Sequence, residues 1–345
     1  VIFAKDVIML TFAKDGAAVY PFLFPARSGL KSYNFYLFRQ GDSLTLIDAG
    51  IETEECWQFF LQGMAQHGFS LRDLTRIILT HNHHDHAGLV NRITAEHEVP
   101  VYAHPDAIYR LKRDPRYFSL RIDFFRNLYQ ALGCGAAGER QVEQLQQAAK
   151  ANEQKKIHAE ILPLKESDPI AGMRVIETPG HAPDHLIYWD EQRKWLFAGD
   201  HLIGHISSNA LIEPDREGRR ILSLLKYAES LQTCLEIEAE WIWPGHGEPF
   251  ADHKPLIAKR LKRIEEKADR LLALVERGLT TASELAQAYY PHKYESEFSL
   301  VMSEILGHLD YLEKQKKVRR EEKGGIWRYY PAWKADGQQT ASFRC

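Results

Sequence analysis

Thr80-His81-Asn82-His83-His84-Asp85-His86 sets four histidines and one carboxylate directly after the short apolar run Ile77-Ile78-Leu79. Imidazole and carboxylate suit zinc, manganese or iron, and closely spaced ligands on one loop can face two ions. Taken alone, the cluster reads equally well as a solvated histidine-rich loop. Three further stretches weigh against that reading. Met173-Arg174-Val175-Ile176-Glu177 runs into Thr178-Pro179-Gly180-His181, and Trp195-Leu196-Phe197-Ala198 into Gly199-Asp200-His201. Trp241-Ile242-Trp243 ends the same way, in Pro244-Gly245-His246-Gly247. Each is an apolar strand closing on a small-residue turn that presents a ligand-type side chain at a sheet edge. A core histidine or a structural aspartate explains any one of these, but not all of them in one chain.

Outward from the cluster, the periodicity is that of a layered α/β protein. Tyr33 to Phe38, a Gln40-Gly41-Asp42 turn and Leu44 to Asp48 read as a strand pair. Trp57, Phe60, Leu61 and Met64 mark a helix over Glu52 to His67, and Ala87 to Glu98 suits another. Val101-Tyr102-Ala103 is a buried strand, and the recurrence of strand, helix and strand predicts an αββα sandwich. Pro105 to His158 reads as a helical insertion broken at Gly133-Cys134-Gly135, because so long a plain loop is improbable. Leu186 to Trp189 and Trp195 to Ala198 form a hairpin, and Arg219 to Glu238 is an amphipathic helix. Beyond His253 come a helix through Leu261, Ile264, Leu271, Leu272 and Val275, and a second opened by the capping box Thr281-Ala282-Ser283-Glu284. A third carries Val301, Ile305, Leu309 and Leu312, and a hairpin spans Val318 to Glu321 and Ile326 to Tyr330. Three helices and a hairpin predict a winged-helix unit.

At 345 residues the chain exceeds what one core usually holds, so a large and a small domain are expected. The expected division is a catalytic domain over residues 1–252 with its insertion at about 105–160, a winged-helix-like domain over 253–335, and a tail over 336–345. A formal charge of −3 gives no global attraction to nucleic acid or anionic membrane. No apolar stretch is long enough for a transmembrane helix. Val1 to Leu10 lacks the basic flank and cleavage site of a signal peptide. Cys56, Cys134, Cys234 and Cys345 lie far apart and form no CxxC pair, which points to neither a disulfide framework nor a thiolate site and to a reducing cytoplasm.

The run H-x-H-x-D-H at His81, His83, Asp85 and His86, followed in order by His181, Asp200 and His246, resembles the metallo-β-lactamase-fold hydrolase superfamily. Leu46-Ile47-Asp48-Ala49-Gly50 and the glycines beside the later ligands match it too, and the resemblance spans roughly residues 20 to 250. Within the superfamily it is similar to glyoxalase II-like and LACTB-two-like members, the latter with a C-terminal winged helix. The resemblance implies a four-layer αββα sandwich and two divalent ions, most naturally zinc, with manganese or iron as alternatives. His81, His83 and His181 would hold one ion, Asp85, His86 and His246 the other, with Asp200 bridging and Asp48 buttressing. Such a pair, about 3.5–4 Å apart, supplies a bridging hydroxide at neutral pH. Asp85 and Asp200 are then the catalytic carboxylates, Asp85 also being placed to hold the nucleophile or pass a proton.

His83 in place of Glu disfavours the di-iron oxygen-reducing branch, and Asp200 disfavours true β-lactamases. The expected activity is hydrolysis of an ester-type bond in a small molecule: thioester, lactone or related acyl substrate. The alternatives are a phosphodiesterase or ribonuclease aided by the winged helix, a mononuclear iron persulfide dioxygenase, and a DNA-binding regulator with a metal sensor. Lys254 to Lys334 holds 17 basic and 12 acidic residues, with Lys314, Lys316, Lys317, Arg319, Arg320 and Lys323 on the wing. Interleaved Glu313, Glu321 and Glu322 favour a solvated hairpin over a nucleic-acid surface. No membrane partner is expected, and nothing fixes an oligomeric state.

His84 falls on a variable position, His185 reads as orienting its loop, and His201 as facing outward. His205, with Ser207, Ser208 and Asn209, follows Asp200 on a loop that is a weaker candidate for the pocket lining. His104, His158, His253, His292 and His308 read as ordinary surface or core residues. Phe118, Phe124, Phe125 and Tyr129 read either as an apolar pocket wall or as helix core.

Overall fold

The side chains of residues 17–47 alternate between two cores, and that alternation organises the computed structural model, which describes residues 10–166 and 168–333. Strands β1 (Phe12–Lys14), β2 (Ala17–Pro25), β3 (Ser32–Gln40), β4 (Ser43–Ile47), β5 (Arg76–Ile78), β6 (Val101–Ala103) and β7 (Ile161–Pro163) form one sheet in that order. Pairing is antiparallel through β4 and parallel from there on. A second sheet has the order β11 (Trp241–Pro244), β10 (Trp195–Gly199), β9 (Leu186–Asp190), β8 (Arg174–Glu177). A separate hairpin is formed by β12 (Val318–Lys323) and β13 (Ile326–Pro331).

The helices are α1 (Glu54–Gln66), α2 (His84–Ala87), α3 (Val90–Glu96), α4 (Pro105–Leu111), α5 (Pro115–Ala131), α6 (Gly135–Ala151), α7 (Ser223–Leu235), α8 (His253–Glu276), α9 (Ala282–Tyr289) and α10 (Phe298–Lys314). Among the described residues no helix is long and apolar enough to cross a membrane. The tail expected at 336–345, and the first nine residues, lie outside the described residues.

By contact the chain divides into two compact units. One takes in the chain up to Tyr117, Asn152–Ser208 and Lys226–Ala258; the other takes in Phe118–Ala151, Asn209–Leu225 and the chain from Lys259 on. In the first unit, Val19, Tyr36, Phe38, Ile47 and Ile78 of the large sheet share a core with Val175, Leu186, Tyr188, Phe197 and Trp243 of the small one. The opposite face of the large sheet, carrying Phe22, Phe35, Leu37, Leu46 and Ile77, packs with Trp57, Phe60 and Met64 of α1 and Val90 and Ile93 of α3. Both faces are thus buried, which is what parallel pairing through helical crossovers requires.

Two features depart from the expected elements. Strand β2 carries Pro21, which argues against a strand. Among the described residues, however, β1 pairs only with Ala17–Val19, so from Tyr20 on the outer edge of β2 has no described partner that would need the missing N–H. The helix expected from Ala87 begins earlier, at His84, and is interrupted after Ala87. At that interruption Gly88 N–H donates to the Gly50 carbonyl, and a Cβ on Gly88 would stand 2.3 Å from the Glu52 nitrogen and 2.5 Å from the Ile51 carbonyl carbon. Gly88→Ala therefore has to push its own backbone away from the Ile51–Glu52 segment. The expected cost is about 3 kcal/mol, read as a drop of several degrees in a thermal melt. An unchanged melting temperature would show that the segments separate freely.

In the second unit, α5 and α6 share a core with the C-terminal elements. Phe125, Leu128 and Tyr129 pack with Leu285, Phe298, Met302 and Leu306, and the Tyr129 and Phe298 rings lie 5.1 Å apart. Phe124 is partly buried against the same cluster, so Phe124, Phe125 and Tyr129 are helix core. Thr281 and Glu284 form the capping box read from the sequence. Segment Asn209–Leu225 is tied on both sides by ion pairs: Arg121 reaches Glu213 with two nitrogens, and Arg220 reaches Asp310 with two. The Arg220 and Asp310 side chains are 15% and 4% exposed. Asp310→Ala leaves a buried guanidinium without its carboxylate, at an expected cost of about 3–5 kcal/mol. Urea denaturation would read this, and an unshifted midpoint would show that the pair contributes nothing.

Candidate metal centre

Four chain turns meet at the rim shared by the two sheets of the first unit. His81 and His83 follow β5, Asp85 and His86 lie on α2, His181 follows β8, Asp200 follows β10 and His246 follows β11. The seven side chains fall into three overlapping groups whose ligand atoms lie within 4.8 Å of one another: His81, His83 and His181; His81, His86 and Asp200; Asp85, His86 and His246. His83 Nδ1 stands 2.9 Å from His81 Nε2 and 3.0 Å from His181 Nε2. The Asp200 carboxylate spans the groups, with Oδ1 3.3 Å from His86 Nε2, and Oδ2 3.4 Å from His181 Nε2 and 3.2 Å from His246 Nε2. Asp85 Oδ2 lies 3.6 Å from His246 Nε2.

The far side of each ring explains its orientation. The Thr80 hydroxyl donates to Asp48 Oδ2, so its oxygen accepts from His81 Nδ1–H at 3.0 Å. His86 Nδ1–H donates to Asp48 Oδ2 at 2.8 Å, and His246 Nδ1–H donates to the Ser32 carbonyl at 2.7 Å. In all three rings Nε2 is the nitrogen turned toward the centre, the one whose lone pair a metal takes when the ring is neutral. His185 is oriented the other way. Its Nε2 accepts from the Asp200 backbone N–H at 3.1 Å, so its Nδ1–H donates to Thr178 Oγ1 at 2.9 Å. It fixes the Asp200 backbone and is not available as a ligand.

The electrostatics match this division. Burial, with His86, His83 and His185 close by, holds the His81 imidazole well below its usual pKa; burial and His181 push His83 down to about 3. Burial alone would lower His86 too, but the Asp200 and Asp48 carboxylates outweigh it and hold that ring well above its ordinary value. Burial would raise Asp200, yet His86 and His246 keep it well below the carboxylate range. His86 Nε2 and Asp200 Oδ1 face each other, buried, without hydrogen-bond geometry. Converging ring nitrogens, two ionised carboxylates and two buried atoms without a hydrogen-bond partner among the described residues make a donor set that fits divalent metal ions. Cys56, Cys134 and Cys234 are buried free thiols, pushed up to about 11, 12 and 12 by burial, and take no part.

Several supporting residues carried no sequence signal. Asn34 Nδ2 donates to the Pro244 and Gly247 carbonyls, the Tyr36 hydroxyl donates to Pro244 at 2.5 Å, and Gly247 N–H donates to Ser32 Oγ. Together they hold the turn that carries His246. His201, expected to face outward, is fully buried, because the chain has left the strand alternation and turned, its N–H donating to the Ala198 carbonyl. His84, on the variable position, is exposed, and His205 Nε2 meets the Gly29 carbonyl at 3.0 Å.

The sequence profile of the Metallo-beta-lactamase superfamily matches residues 28–271. The chain is 30% identical over 280 residues to the probable metallo-hydrolase YqjP of Bacillus subtilis, covering 81% of this chain and 87% of that one. It is 20% identical over 278 residues to an atrochrysone carboxyl ACP thioesterase of Aspergillus fumigatus, covering 77% and 70%. A metallo-beta-lactamase family protein of Thermus thermophilus superposes with a TM-score of 0.73 at 25% identity, over 91% of this chain and 98% of that one. With its histidine and aspartate groups gathered at one rim, the chain belongs to the metallo-beta-lactamase superfamily and is one of its metal-dependent hydrolases.

Proposed function

We propose that the protein is a dinuclear hydrolase of a small acyl substrate, a thioester first, then a lactone or related ester. The observation that carries this is the position of Asp200, whose two carboxylate oxygens face imidazoles of both ligand groups. His81, His83 and His181 would hold one ion and Asp85, His86 and His246 the other, zinc being best matched to nitrogen-rich sites of this kind. Two such ions, when bound, would supply a hydroxide nucleophile at neutral pH and polarise the scissile carbonyl. The protein's own role is orientation. Asp48, Thr80 and Ser32 fix the imidazole tautomers, and His185 fixes the Asp200 backbone. Asp85 is the half-buried carboxylate of the set; we assign its Oδ1, the oxygen not turned to His246, to accept the proton of the attacking water and return it to the leaving group.

The acyl class is supported by the thioesterase among the relatives. We read α8, α9, α10 and the β12–β13 hairpin as a winged helix that packs rather than binds nucleic acid. Four of its six wing cations are engaged within the unit: Lys317 with Asp269 at 3.2 Å, Lys323 with Glu321 at 2.7 Å, Arg319 also with Glu321, and Arg320 with Trp327. Arg320 lies over the Trp327 ring, 4.2 Å from its centroid. Cations already paired gain little from phosphate.

Elemental analysis of the purified chain, paired with turnover of a thioester, a lactone and a phosphodiester, tests the reading. Two zinc or manganese ions with acyl hydrolysis are expected. Two ions with phosphodiester cleavage alone would transfer the assignment to the nuclease branch. A single iron with neither activity would overturn the dinuclear hydrolase in favour of the oxidative branch.

A further inference from the structure

His81 and His83 stand on the β5–α2 loop and His181 on the β8–β9 loop, so the three rings come from different sheets. Their nitrogens nevertheless approach to 2.9 and 3.0 Å. At the base of the two loops the join is explained, because Leu186 N–H donates to the Thr80 carbonyl at 2.7 Å and the Tyr188 hydroxyl to the Leu79 carbonyl at 2.6 Å. Beyond Thr80 the loops meet at the imidazoles and through a side-chain hydrogen bond. Asn82 Nδ2, between the two histidines of the first loop, donates to Asp184 Oδ1, three residues after His181, at 2.5 Å.

Asp184 is fully buried, and its Oδ2 has no hydrogen-bond partner among the described residues. Burial raises its carboxyl, while Arg110 and the Asn82 hydrogen bond oppose the rise. The Arg110 guanidinium in turn lies over the Tyr117 and Tyr109 rings, 4.6 and 5.3 Å from their centroids. A buried carboxylate with half its hydrogen-bonding capacity unused is costly. Its position, bracketing the ligands from the opposite loop, gives that cost a purpose.

Resting on the dinuclear reading above, we propose that Asn82 and Asp184 are positioning residues, a clamp that holds the two loops at the spacing at which His81, His83 and His181 share one ion. Neither residue is a ligand, and neither touches substrate in this assignment. The clamp predetermines the three-nitrogen geometry, so an ion entering the site does not have to draw the loops together. Groups that orient ligands from outside typically change metal affinity by about 10–100-fold when removed.

The test compares the full chain with Asn82→Leu, with Asp184→Asn, and with the exchanged pair Asn82→Asp/Asp184→Asn. Zinc affinity is measured by chelator competition, the cobalt-substituted absorption spectrum reports ligand geometry, and the metal-free melting temperature reports folding. Asp184→Asn keeps an acceptor for Asn82, and the exchanged pair restores the bond with its polarity reversed. The clamp predicts zinc binding weakened about 10–100-fold and an altered cobalt spectrum in Asn82→Leu. It predicts near-normal affinity and spectrum in Asp184→Asn and in the exchanged pair, whatever their melting temperatures. Wild-type affinity and spectrum in Asn82→Leu would overturn it, as would an exchanged pair no better than Asn82→Leu. Failure of the unsubstituted chain to bind zinc would overturn the metal reading and the clamp with it, and is told apart because it appears before any substitution.

Discussion

Asp200→Ala is expected to abolish hydrolysis, lowering turnover on the order of a thousandfold or more, and to lower the metal content below two ions per chain. The size of the effect follows from geometry. One carboxylate meets His86, His181 and His246 at 3.2 to 3.4 Å, and it is buried, so no water-filled space stands ready to substitute for it. Its removal takes away the group that faces both ligand sets, as well as one of the negative charges that would make two dications tolerable side by side in the proposed dinuclear site. It also leaves His86 with Asp48 at 2.8 Å on its other nitrogen and with Asp85 nearby. Asp200→Asn keeps the volume and one oxygen and discards the charge, so a matching loss there would assign the effect to electrostatics rather than to packing. Elemental analysis and steady-state turnover read both variants. Near-normal turnover with one ion per chain would defeat the dinuclear mechanism while leaving the superfamily assignment untouched.

That these side chains meet at all was legible in the sequence, for a physical reason. A ligand that must sit at a sheet edge is placed by a local device, an apolar strand running into a Pro-Gly or Ala-Gly turn, and the device is short enough to be visible in a single stretch. The same holds for the Thr281 capping box, whose two partners lie three residues apart. What stayed hidden depends on register and on long loops. Asn34 and Tyr36 support the Pro244 turn across more than 200 residues of chain, and nothing local marks an asparagine in a strand as holding a distant turn. Strand β2 carries Pro21, which a strand tolerates at an edge; among the described residues β1 pairs with Ala17–Val19 and does not reach it. The shared core of the 118–151 helices with the C-terminal elements is likewise a long-range fact, invisible to periodicity, which shows that a helix has an apolar face but not what covers it.

Gly245→Ala is the second substitution with a large expected effect, and it separates the site from the fold. A Cβ at this position would stand 2.2 Å from Asp200 Oδ1 and 2.7 Å from His86 Cε1, with the Gly199 carbonyl carbon at 3.1 Å behind them. The clash falls on two of the side chains that would hold metal. Neither can swing aside cheaply: His86 is held by Asp48, and Asp200 by its contacts to three imidazoles. Backing the glycine away is also resisted, because its N–H donates to the Gly199 carbonyl at 2.7 Å and its own carbonyl accepts from Asn34 N–H at 2.9 Å. A single methyl therefore has to displace the Asp200 carboxylate or the His86 ring, or break the turn that presents His246. In each case a catalytic geometry that tolerates about an ångström of error at a cost near a hundredfold is lost. The expected result is a folded protein with turnover reduced about a hundredfold or more and weakened metal retention. Circular dichroism would report the fold, while chelator competition and turnover report the site. Wild-type turnover would show that the strand end yields without disturbing Asp200, and would remove the tight glycine turn from the list of features the chemistry depends on.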